Sequence, residues 1–197
     1  MINRELIRLK VLQIAYAFYQ NDERNVASSE KELFFSMSKA HDLYMKLLAL
    51  IVALHKDAYR RLEILKKSRI TSNKSMSELE RFTGNLFAKQ LEENVQLCSF
   101  LENESNRWDN DAEFVMHLFN MISESEVYQK YVFYLKNEHD YREDKEVWRK
   151  LYKLFIERNE NLDAILEEKC LYWNDDKEIV DTFVLKTIKR FSQIHGA

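Results

Sequence analysis

The strongest constraint on this chain is a shortage: its 197 residues contain no proline and only two glycines, Gly84 and Gly196. Sandwiches and barrels reverse direction every few residues and rely on such turn formers, whereas helices run on without them. Charged residues make up 32% of the chain and are mostly Lys and Glu, both strong helix formers. The expectation is an all-α fold, and an apolar content of 46% is enough for a sizeable core.

Periodicity divides the chain into helices. The first is expected from Asn3 to Gln20, with Asn3 as N-cap and Glu5 in the first turn. After the polar "NDERNVASS", Ser28 or Ser29 caps a long stretch that should break near "SKAHD". Its later part carries Leu43, Leu47, Leu50, Leu54, Ala58 and Leu62 as one apolar stripe. The Ser-rich "SRITSNKSMS", 68–77, reads as a linker. It suggests an N-terminal helical subdomain, 1–70, and a mostly acidic helical subdomain, 71–197. Further helices are expected in "SELERF", in "LFAKQLEENVQLCSFLEN" after a kink or cap at Gly84–Asn85, and in four shorter segments. The last helix, "DDKEIVDTFVLKTIKRF", opens on acids and closes on Lys186, Lys189 and Arg190, as the helix dipole favours.

The same shortage of glycine rules out glycine-rich phosphate loops and the turn of an N-terminal helix-turn-helix. No HExxH or CxxC occurs, and none of His41, His55, His117, His139 and His195 follows a Glu by three positions, as di-iron helices require. Glu113 and His117 stand one turn apart, but a single pair supplies too few ligands for a metal. The pattern points away from an enzyme and from any cofactor. Cys98 and Cys170 read as two reduced, buried thiols. The longest apolar run, "LLALIVAL" at 47–54, is too short for a bilayer, so a cytoplasmic protein without membrane attachment is expected.

Net charge is −3, but unevenly spread: 55–74 holds seven Lys/Arg against two acids, and 91–147 holds fourteen acids against five Lys/Arg. A near-neutral chain with a basic side can still choose an anionic partner. The first helix concentrates the question. Arg4 and Arg8 lie about 40° apart on one face and Lys10 about 200° from Arg8, all within the first turns. Beyond them Val11, Leu12, Ile14, Ala15, Tyr16, Phe18 and Tyr19 cover most of the circumference, which predicts a central, buried helix with a basic mouth. Two readings of Arg4 and Arg8 are open from periodicity: an anion site, or pairing with acids of neighbouring helices. For Arg60, Arg61, Lys66 and Lys67 the choice is between a solvated face and a wider basic surface.

Arg4-x-x-x-Arg8 followed by "VLQIAYAFYQ" resembles the opening helix of the NusB family of bacterial antitermination factors. Gln13 and Tyr16 stand where that family has Gln and Tyr, and Phe18 where an aromatic follows. The resemblance is specific over residues 3–20. It implies two packed helical bundles around a long central N-terminal helix. It also implies binding to the boxA segment of ribosomal RNA leaders, jointly with the ribosomal protein NusE, in the complex that lets RNA polymerase read through terminators. Arg4, Arg8 and Lys10 would then hold phosphates, and Tyr16 would meet RNA or NusE unless it is a buried tyrosine. Glu5 and Leu6 replace further arginines of the family, so phosphate contacts should be fewer. The family's C-terminal signature is missing, and "LYWNDDKEIVDTFVLKTIKRF" resembles part of the insertion found in extended versions. The expectation is an extended member lacking its C-terminal part. The alternative is a helical interaction scaffold whose acidic half docks a basic protein, without RNA contact. A third possibility is the RNA-binding domain of an rRNA methyltransferase, whose cofactor loop would have to lie elsewhere.

Overall fold

The structure is a computed structural model and describes residues 4–20, 25–68, 73–133 and 139–192. Among these residues there is no strand. The elements are α1 (Arg4–Gln20), α2 (Val26–Lys67), α3 (Asn73–Thr83), α4 (Leu86–Glu92), α5 (Val95–Glu102), α6 (Ala112–Glu124), α7 (Glu126–Phe133), α8 (Tyr141–Phe155), α9 (Glu160–Lys169) and α10 (Tyr172–Arg190). Short 3-10 turns occupy Glu104–Asn106 and Asp109–Asp111. The all-α expectation holds.

Several boundaries differ from those expected. The helix α2 runs 42 residues without a break at "SKAHD". Its start is set by Asn25, whose side chain accepts the Ser28 N–H at 3.1 Å, in place of a Ser28 or Ser29 cap. Conversely, "LFAKQLEENVQLCSFLEN" divides in two, because Asn94 caps a new helix by accepting the Leu97 N–H at 3.1 Å. The expected linker is shorter than 68–77, since α3 already begins at Asn73. The proposed Asn3 cap lies outside the described residues.

Compactness divides the chain into 1–45 with 159–184, and 46–158 with 185–197. This differs from the expected split at residue 70. Two of the three boundaries fall inside α2 and α10, where composition does not mark them, and the third lies at Arg158–Asn159, between α8 and α9.

In the first unit, the core gathers Leu6, Ala40, Leu43, Leu162, Leu166, Val180 and Phe183. Polar contacts tie its helices together. The Trp173 indole donates to the Lys39 carbonyl at 2.9 Å, and the Tyr172 hydroxyl donates to Glu32 at 2.7 Å. Lys177 bridges Asp163 at 3.2 Å and Asp181 at 2.9 Å.

The second unit is larger. Its heart is Phe82, whose ring meets those of Phe119, Tyr128 and Trp148 at 5.1–5.6 Å. Leu47, Leu50, Leu54, Ala58 and Leu62 are buried, as the stripe predicted. Two buried charges are fully engaged. Asp144 accepts the Leu86 N–H, satisfying an orphan donor of α4, and the Tyr131 hydroxyl, each at 2.7 Å, with His139 Nδ1 at 3.1 Å. Lys46 donates to the carbonyls of Ser105, Asn106 and Arg107, the closest at 2.7 Å, and lies 4.6 Å from the Trp108 ring centroid.

Candidate functional site

The side chains of α1 sort into two sides. At about 100° per residue, Leu6, Leu9, Lys10, Gln13 and Ile14 fall within an arc of about 140°. This is the covered side: Leu6 and Lys10 are buried and the other three half-buried. The opposite half carries Arg4, Arg8, Val11, Leu12 and Tyr19, with Ile7 and Tyr16 at its edges, and all seven are exposed. The helix is therefore not the buried, central element that its apolar content predicted. Beside the buried Leu6, polar contacts seat it: Lys10 Nζ lies 2.7 Å from Asp176 Oδ1, and Gln13 donates to Asp175 at 3.4 Å.

Lys10 must accordingly be removed from the RNA-contacting set. Its side chain is 4% exposed against a fully buried carboxylate, so its charge is spent inside the protein. Burial raises the Asp176 pKa and Lys10, donating a hydrogen bond and its charge, opposes that rise.

Arg4 and Arg8 behave differently. Both are exposed, and neither has an ion-pair partner among the described residues. Among the described residues no acid of a neighbouring helix pairs with them. Tyr16 is 67% exposed, which excludes the buried-tyrosine reading. Sequence reasoning missed Tyr19, 71% exposed, and Leu12, 69% exposed, having assigned both to a core. The available signal was Lys10, which shares its side of the helix with Leu6 and Ile14.

The second basic cluster is partly neutralised by its own neighbours, one carboxylate serving two guanidiniums. Arg60 and Arg61 both pair with buried Asp57. Arg61 also donates to Asn120 at 2.7 Å and the Met116 carbonyl at 3.1 Å, with its guanidinium 4.7 Å from the Phe119 ring centroid. It pins α2 to α6. Lys66 stands 4.0 Å from Glu80, and Lys67 is exposed in the last turn of α2. These four residues belong to the second compact unit, whereas Arg4, Arg8 and Tyr16 belong to the first.

Chemically, the open side of α1 offers two guanidiniums, then apolar and phenol side chains, over about 22 Å from Arg4 to Tyr19. Guanidiniums take phosphate oxygens, and tyrosine rings accept stacked bases. Among the described residues no group of three or more His, Cys, Asp or Glu could hold a metal ion. His55 is buried, with Nε2 3.2 Å from the Thr83 carbonyl and Nδ1 3.7 Å from Glu92. Burial lowers its pKa, outweighing the opposing pull of Glu92 and the Thr83 carbonyl. Cys98 is exposed rather than buried, because Val95, Gln96, Cys98 and Ser99 form the outer side of α5 while Leu97 turns inward. No described helix is long and apolar enough to cross a membrane. No family model, curated protein or solved structure matches the chain.

Proposed function

We propose that this chain binds single-stranded RNA along the open side of α1, as an antitermination factor of the NusB type. Its RNA would be boxA of ribosomal RNA leaders and its protein partner NusE, as the resemblance of residues 3–20 implies. One observation carries the reading: Arg4 and Arg8 are exposed without carboxylate partners among the described residues, on the side of the helix that also leaves Leu12 and Tyr19 open. Exposed cations followed by aromatic rings are what a single strand requires, with phosphates on the former and splayed bases on the latter. Lys10 takes no part, and Arg61 has a structural task.

A filter-binding titration with boxA RNA, with and without NusE and against unrelated competitor RNA, tests the proposal. Saturable binding that unrelated RNA displaces poorly is the expected result, and Arg4→Ala with Arg8→Ala should weaken it. Because both side chains are exposed, circular dichroism of the double variant should match that of the parent. Binding of NusE without any RNA binding would instead favour the scaffold reading.

A further inference from the structure

The second compact unit holds a groove that the RNA reading does not use. Ala49 and Ala53 stand one turn apart on α2, and Ala112 opens α6. Their small side chains leave a cavity of about 580 Å³, within the range of ligand-binding clefts. Its apolar lining includes Val52, Leu97, Leu101 and Val115.

Charge around the groove is unequally satisfied. The lining cations are Lys56, Arg60 and Arg107, and the lining carboxylates are Asp57, Glu92, Glu102 and Asp109. Each cation is engaged: Lys56 with Glu92 at 3.6 Å, Arg60 with Asp57, and Arg107 with Glu104 at 4.0 Å and the Leu101 carbonyl at 2.8 Å. Glu102 and Asp109 are exposed and have no cationic partner among the described residues. The groove thus pairs an apolar bed with two carboxylates that lack a cationic partner among the described residues, in a lining of four acids and three bases. Its walls are the helices α2, α5 and α6, and its alanines permit close approach of another helix.

We infer that this groove docks a basic amphipathic helix of another protein, with an apolar ridge on the alanine bed and Lys or Arg beside Glu102 and Asp109. The inference does not depend on RNA binding by α1, and its test contains no RNA. The probe is a dye-labelled synthetic Leu/Lys amphipathic peptide of about 16 residues, long enough to form a helix, with a Leu/Glu peptide as control. Binding is read by fluorescence anisotropy on the full chain carrying Cys170→Ser. In parallel, the alkylation rate of Cys98, an exposed residue of the groove, reports occupancy.

The Leu/Lys peptide should bind and slow Cys98 alkylation, while the Leu/Glu peptide does neither. Glu102→Gln with Asp109→Asn should weaken binding about fivefold at low salt, from two exposed pairs. Ala53→Phe should fill the cavity and abolish binding. The inference is overturned by absent binding, by equal binding of both peptides, or by an undiminished affinity in the charge variant. Cys98 protection that rises with protein concentration alone would equally overturn it, by identifying a second copy of the chain as the occupant.

Discussion

Arg8 and Lys10 are two positions apart and meet opposite fates, one in solvent and the other against a buried carboxylate. Removing one member of such a pair strands the other charge. Lys10→Ala should therefore cost about 3–5 kcal/mol in urea unfolding, whereas Lys10→Met combined with Asp176→Leu should be near neutral or stabilising. Equal losses from the single and double changes would show that packing, not charge, governs the site. Gly84 is a second residue fixed by a neighbour. A Cβ added there would collide with the His139 imidazole, so the ring would have to leave its place against Asp144. Gly84→Ala should destabilise by about 1–3 kcal/mol through overpacking, and most of that loss should vanish in a His139→Ala background. A double-mutant cycle measures the difference. The glycine was visible in the sequence as a break between helices, but its reason was not, because His139 is 55 residues away.

At the scale of elements, the sequence was legible wherever one face of a helix meets one core. The stripe from Leu43 to Leu62 is buried as its spacing predicts, and acids and bases mark the ends of α10. Legibility failed where polar groups decide. Asn25 and Asn94 start helices by capping, and both were read as ordinary polar residues. In α1 the apolar count implied burial all round, whereas Lys10–Asp176 and Gln13–Asp175 settle which side is covered. Contacts between helices also set a pH dependence. His55 on α2 faces the end of α3 through the Thr83 carbonyl, and burial holds its pKa below the ordinary 6.5. Below pH 6.5 the unfolded chain takes up a proton more readily than the folded one, so this residue's contribution is present above 6.5 and is lost as pH falls toward the lowered value. Urea midpoints measured between about pH 7.5 and 5.5 should fall more steeply for the parent than for His55→Gln. Parallel profiles would remove His55 as the cause.

For the whole molecule, composition alone announced the all-α class, since a chain without proline and with two glycines has few other options. It could not announce the two compact units, because two of their three boundaries lie within α2 and α10 rather than in a polar linker. Charge counts were similarly half informative. The basic stretch 55–74 is real, yet Asp57 pairs with both Arg60 and Arg61, so part of a local surplus in sequence becomes internal pairing in space. Arg4 and Arg8 at the start of α1 are among the residues that remain open to an anion. The direct test is the salt dependence of boxA affinity for the parent and the Arg4→Ala, Arg8→Ala variant. If both guanidiniums grip phosphate, the variant binds more weakly and its log K against log salt line is shallower by about 1.4, at about 0.7 per contact on a single strand. Superimposable lines from two equally folded proteins would contradict the account.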